Sequence, residues 1–194
     1  MIDFLSTFIF FFAVIDPIGT VPVFISVTGQ YDEKTKRGIA IRATMVAALI
    51  LLFFVAAGEI ILNAMAIPLA AFQVAGGIVL FVFALTMIFG ESKPEQEAKM
   101  VVSGDETAIF PIAVPSIAGP GAMLAAVLMT ENGRYSIIEQ LQTASMMLAV
   151  LIVVLVLLLC AGWIHRLIGQ SGASIVSRVM GLILGSVAAS HVLS

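Results

Sequence analysis

The sequence predicts an all-α membrane protein with six transmembrane helices, arranged as an inverted 3+3 repeat in which helices 1 and 4 are broken. Three observations predict it. The chain of 194 residues is 61% hydrophobic and only 11% charged, whereas soluble domains carry roughly 45–50% apolar and about 25% charged residues. Six apolar runs reach the ~20 residues that a bilayer crossing requires. Two of these runs, one in each half, are interrupted near their middle by two prolines five residues apart.

The first span covers 4–27. It opens on Asp3 with no Lys or Arg before it, which is unlike the basic start of a cleaved leader, so the run is read as a retained span. Its centre reads Ile15-Asp16-Pro17-Ile18-Gly19-Thr20-Val21-Pro22. Spans two and three follow at 39–62 and 67–89, joined by a tight turn near Asn63-Ala64. A polar connection of Gly90 to Thr107 comes next, with Glu95 and Lys99 four apart; it is either a short surface helix or a linker. Span four, 108–130, carries Val114-Pro115-Ser116-Ile117-Ala118-Gly119-Pro120-Gly121 at its centre. Spans five and six are expected at 143–164 and 174–193, separated by a polar connection of His165 to Gly172.

The halves are related. A shift of 98 residues lays Pro17 on Pro115, Pro22 on Pro120 and span two on span five. Each half then holds an odd number of spans, so the second half enters the membrane from the opposite side. The expected organisation is one transmembrane domain over 1–194, with repeat one at 1–90, a cytoplasmic loop at 91–107 and repeat two at 108–194. Orientation follows from basic residues, which concentrate on the cytoplasmic side. Lys34, Lys36, Arg37, Arg42, Lys93, Lys99, Arg166 and Arg178 fall on one side and Arg134 alone on the other. Both termini are therefore expected outside the cytoplasm.

Proline removes a backbone donor and clashes with the preceding turn, so Pro17, Pro22, Pro115 and Pro120 are expected to break the two helices inside the membrane. Non-helical backbone is tolerated there only when buried in protein or lining a wet cavity, and a matched pair of broken spans points to a transporter's binding site. Asp16 is the leading candidate. A carboxylate near the bilayer centre costs at least a few kcal/mol, so it is expected to contact a solute or a coupling ion, or to cap the broken backbone; the two roles are compatible. Half-helices restarting near Pro22, capped by Thr20 or Val21, and near Pro120, capped by Gly119, offer free N–H groups to anions. Gly19, Gly119 and Gly121 allow close backbone approach, and Ser116 lies beside the second break. A small zwitterion fits this set, amine toward Asp16 and carboxylate toward the half-helix N-termini. The alternative is that both kinks only shape packing.

Other residues carry less. Glu59 and Gln73 sit near the outer ends of their spans. Thr86 and Thr130 are expected to bond to their own backbone. Gly76-Gly77 and the Gly181–Gly185 pair offer small faces for helix packing within the chain, and His165 is expected to be wetted. Cys160 is the one cysteine, so there is no disulfide framework. No phosphate-binding glycine loop, no histidine pair at metal spacing and no nucleophile elbow occurs. No enzymatic activity, metal or cofactor is expected beyond a coupling proton or sodium ion, and no nucleic-acid partner.

These residues resemble the MarC family of integral membrane proteins across essentially the whole chain. The resemblance rests on Asp16 through Phe24, Ala57-Gly58-Glu59, Gly76 through Phe81, and Pro111 through Pro115 continuing to Gly119-Pro120-Gly121. Thr20 departs from the pattern, since many relatives carry Asn there. The resemblance implies a six-span protein of the bacterial or archaeal cytoplasmic membrane. It also implies transport of small neutral amino acids such as glycine and alanine, the activity described for some relatives. The substrate-binding set expected on both grounds is Asp16, Gly19, Thr20, Ser116, Gly119 and Gly121. The expected partners are that substrate and the lipid bilayer; export of other small metabolites or drugs, and a non-transporting scaffold, are the alternatives.

Overall fold

A computed structural model of the chain describes residues 3–89 and 109–193. It is helical throughout these residues. In order they are α1 (Phe4–Ile15), α2 (Pro17–Thr28), α3 (Glu33–Ala64), α4 (Leu69–Phe89), α5 (Ile109–Ile117), α6 (Pro120–Leu128), α7 (Ile137–Leu159) and α8 (Ala161–Leu193). The expected cytoplasmic connection of Gly90 to Thr107 lies outside the described residues.

Local chemistry sets the helix ends. Asp3 caps α1, accepting from the Leu5 N–H at 3.2 Å. Ser136 caps α7 in a reciprocal arrangement with Glu139, which satisfies two of the donors a helix start leaves open. Between α3 and α4 the chain turns at Met65 and Ala66, the latter with φ 53°.

The segment α1–α2 forms the centre of the bundle: 67% of its most apolar stretch is buried, against 22–33% for the other long spans. Phe11, Ile15 and Val21 belong to its buried face. Around it α7, α8 and α6 pack on α1, and α8, α7 and α5 pack on α2. The outer helices turn Leu49, Phe53, Ile152, Ile175 and Leu182 outward, as surfaces that meet hydrocarbon must. The α4–α8 pair packs through small residues: a Cβ added at Gly181 would stand 3.1 Å from the Ala84 carbonyl oxygen and 2.9 Å from the Met87 Cβ. The glycine faces therefore serve packing within the chain, as expected.

Among the described residues five helical segments, α1–α2 counted as one, are long and apolar enough to cross a bilayer, and the pair α5–α6, bent by 48°, makes a sixth if it spans as one element. Three features depart from expectation. The first break lies at Asp16 alone, and α2 restarts at Pro17 rather than near Pro22. Proline at the first helical position loses a donor that has no partner there anyway. Pro22 stays inside α2, where it has no N–H to give the Ile18 carbonyl one turn earlier. Secondly, α5 is wound loosely: the Ala118 N–H reaches back five residues to the Ala113 carbonyl, and Phe110 and Val114 have extended backbone. The second break before Pro120 stands where expected, with Gly119 as the cap. Thirdly, residues 165–172, expected as a polar connection, lie inside α8, which leaves helical geometry only at Gly169, with φ 66° and ψ 177°, and the fifth span ends at Leu159 rather than near 164.

Candidate functional site

Asp16 closes one helix and opens the next. Its backbone is left-handed, with φ 50° and ψ 67°, a conformation that aspartate tolerates better than most residues because its side chain bonds locally. Its N–H donates to the Phe12 carbonyl and so ends α1; its Oδ1 accepts from the Gly19 N–H at 3.1 Å and so caps α2. A carboxylate at a helix N-terminus is favoured by the positive end of the backbone dipoles. Asp16 has no exposed surface.

The second carboxylate oxygen is held from the other half of the chain. Ser177 on α8 donates its hydroxyl to Asp16 Oδ2 at 2.6 Å. One turn into α2, the Thr20 hydroxyl donates to the Asp16 carbonyl at 3.1 Å, and Ser116 of α5 donates to Thr20 Oγ1 at 3.2 Å. Thr20, Ser116 and Ser177 are all buried. Two side-chain hydrogen bonds thus join the N-terminal half to the C-terminal half at one level of the bundle, and both meet the Asp16 turn.

Gly19 is dictated by this arrangement. A Cβ there would lie 2.1 Å from Asp16 Oδ2 and 2.5 Å from Ser177 Oγ, so only glycine leaves room for their bond. The remaining candidates stand apart from it. A Cβ on Gly119 would meet the Pro115 carbonyl at 2.8 Å, and one on Gly121 would meet Leu80 and Val14 at 3.2 and 3.3 Å. These two glycines seat α6 against its neighbours and do not join the hydrogen-bond chain. Asp16 occupies the N-terminus of α2 with its own carboxylate, whereas α6 has no side-chain cap.

Ser177 escaped the sequence reading. Its position within the apolar run of α8 was the available signal, since a hydroxyl inside a span seeks a partner there. His165 is half-buried, lies within α8 rather than in a connection, and has a buried Nδ1 with no hydrogen-bond partner. Thr86 and Thr130 bond to the Phe83 and Ala126 carbonyls of their own helices, as expected. Glu59 accepts from the Asn132 N–H at 2.6 Å and so ties the end of α3 to the connection between α6 and α7. Among the described residues no cluster of three His, Cys, Asp or Glu could hold a metal ion.

Apolar spans wrapped around a broken, polar-cored central segment define an integral membrane protein of the multi-helix class. The chain belongs to the MarC family of integral membrane proteins, whose model matches residues 1–194. It is 32% identical to a UPF0056 membrane protein of Archaeoglobus fulgidus over 97% of this chain and 90% of the relative. It is likewise 32% identical to the UPF0056 inner membrane protein YhgN of Escherichia coli (strain K12), over 95% of this chain and 91% of that one. A UPF0056 membrane protein of Aquifex aeolicus is 30% identical over 93% of this chain and 86% of the relative. No solved structure matches the chain.

Proposed function

We propose that the protein is a secondary transporter of the inner membrane that moves small neutral amino acids of the glycine and alanine class, coupled to a proton or a sodium ion. The observation that carries this reading is Asp16: an ionisable group with no exposed surface, at a helix break in the most buried span, bonded across the two halves of the chain. Intramembrane carboxylates are expensive and mark ion and substrate pathways. The class of substrate comes from the family resemblance and agrees with a site that pairs a carboxylate with an uncapped half-helix N-terminus. The basic end of the bundle is taken as cytoplasmic.

The packing supports an inverted repeat. Exchange the halves, so that α1 and α2 correspond to α5 and α6, α3 to α7, and α4 to α8. The α1–α7 contact then mirrors α5–α3, α2–α7 mirrors α6–α3, α2–α8 mirrors α6–α4, and α1–α6 mirrors α5–α2. The α3–α7 and α4–α8 contacts are their own counterparts; α1–α8 and α7–α8 have none among the main contacts. Asp16 corresponds to Val114 under the 98-residue shift, and both residues leave helical geometry just before a proline. Transport on this frame rocks one half against the other. The Ser177–Asp16 and Ser116–Thr20 bonds are then exchanged for bonds to the solute, which exposes the carboxylate.

One observation favours a second reading, a membrane scaffold. Both Asp16 oxygens are already hydrogen-bonded, to the Gly19 N–H and to Ser177, as a purely structural cap would be. Counterflow separates the two. Purified protein in liposomes preloaded with unlabelled glycine should accumulate labelled glycine and alanine. A panel in which only larger metabolites or drugs exchange would replace the substrate class, and no exchange by folded protein would favour the scaffold.

A further inference from the structure

A cavity of about 210 Å³ opens at the basic end of the bundle, between the end of α2, the start of α3 and the α7–α8 junction. Its rim holds Glu33, Lys36, Arg37 and Arg166, and His165 lies in its wall. Lys36 is tied to Glu33 at 2.9 Å. Arg37 and Arg166 have no ion pair among the described residues and are exposed. The opposite wall is apolar, with Phe24 and Leu158. The cavity is thus a positively charged cup with room for a small organic acid.

A second, much smaller cavity shares His165 with it. It is a void of about 10 Å³ between α2 and α8, bounded by Ile18, Val21 and Pro22 on one side and Ile168, Gly169 and Ala173 on the other. That is space for about one water. The two helices run antiparallel along this seam. On α8, His165, Gly169 and Ala173 line this void, and Ser177, one turn beyond Ala173, holds Asp16. On α2 the seam runs from Thr28 through Ile25, Pro22 and Ile18 to the Asp16 turn. His165 lines both the cavity and the void, and its Nδ1 is buried and without a hydrogen-bond partner.

We propose that this cavity is a carboxylate-binding vestibule, with Arg37 and Arg166 receiving the anionic end of a small solute, and that the α2–α8 seam leads on to Asp16 with His165 as its constriction. The assignment rests on the transporter reading for its solute, but its geometry is testable without transport. The guanidinium of each, Arg37 and Arg166, offers a planar fork of donors suited to a carboxylate. Gly169, where α8 leaves helical geometry, is the point at which the α8 side of the seam can move.

The test is thiol access in phosphatidylcholine nanodiscs, after Cys160→Ser. Gly162→Cys places a thiol on the cavity wall, where an added Cβ meets nothing within 4 Å. An anionic methanethiosulfonate reagent should modify it at least tenfold faster, relative to free thiol, than a cationic one. Arg37→Gln with Arg166→Gln should abolish that preference, and glycine should slow the reaction. Ala173→Cys, beyond the constriction, should react at least tenfold faster in His165→Ala than with His165 present; Ile18→Cys serves the same purpose if that variant does not fold. Ile175→Cys, on the outward face, should stay unmodified in both backgrounds. Equal rates with both reagents, indifference of both seam positions to His165, or protection of Gly162→Cys by phosphatidylglycerol and not by glycine would each overturn the proposal, the last in favour of a lipid headgroup site. Normal access with no transport would count against the transporter reading alone; transport without this access pattern would count against the vestibule alone.

Discussion

Replacing Gly19 by alanine tests how tightly the Asp16 turn is built. The new Cβ would stand 2.1 Å from Asp16 Oδ2, 2.7 Å from Asp16 Cγ and 2.5 Å from Ser177 Oγ. Neither neighbour yields easily. The carboxylate is held by the Gly19 N–H at 3.1 Å and by Ser177 at 2.6 Å, and both side chains are buried. Relief of the clash must therefore break the Ser177–Asp16 bond. Overpacking costs about 1–3 kcal/mol and a lost hydrogen bond to a charged group about 1.5–3 kcal/mol. The sum, roughly 3–6 kcal/mol, is a large share of the about 5–15 kcal/mol that stabilises a typical domain. Thermal unfolding in detergent, with wild type, Gly19→Ala, Ser177→Ala and the double variant, reads it out. The two single losses share one bond, so the double variant should lose less than their sum. A Gly19→Ala protein as stable as wild type, or strictly additive losses, would refute the reasoning.

Four further predictions rest on packing, charge and capping. Gly181→Ala should destabilise by about 1–3 kcal/mol, because the Ala84 carbonyl and the Met87 Cβ leave no room. Gly38→Ala, whose Cβ meets nothing within 4 Å in the first turns of α3, should stabilise by about 0.5–1 kcal/mol; the same unfolding assay checks both. Burial raises the Glu131 carboxyl from its ordinary value of 4.5, with Arg134 opposing and Glu59 adding to the shift. A carboxyl whose folded value is raised is penalised when ionised, so Glu131→Gln should raise the melting temperature at pH 7–8. The gain should vanish as pH falls below about 4.5, where both states are protonated. At the start of α7, Ser136→Ala removes one side of the cap with Glu139; hydrogen exchange of the first turn of α7 should quicken, with α3 unchanged.

Much of the fold was legible because membrane helices announce themselves by length and hydropathy. All six expected spans overlap helical segments, and the break beside Asp16 was readable because proline constrains its own φ and disfavours helix at the residue before it. What misled the reading at Pro22 is that two prolines need not both break a helix: a cap is also needed, and Asp16 supplies one before Pro17 while nothing does before Pro22. The continuity of α8 through 165–172 was hidden by its polar residues. Its periodicity was present all the same, with Ala161 and Ile164 buried and Ile168 half-buried on one face, while Trp163, Arg166 and Leu167 point outward. Asp16, Gly19 and Thr20 could be grouped from sequence because they fall within one turn. Ser177 could not, because it reaches Asp16 only through the register of α8 on α2, a tertiary property with no local trace. Gly119 and Gly121 were included for their backbone freedom, and the structure shows them tightly packed and outside the Asp16 hydrogen-bond chain.

Uptake of radiolabelled glycine and alanine into proteoliposomes, with a proton or a sodium gradient imposed, tests the central claim most directly, with Asp16→Asn measured beside wild type. Asparagine keeps the size and left-handed tolerance of Asp16 and removes its charge. The expected result is saturable uptake that follows one of the two gradients and is lost in Asp16→Asn although that variant remains folded. No uptake by folded wild type in either reconstituted orientation, or undiminished gradient-driven uptake in Asp16→Asn, would contradict it.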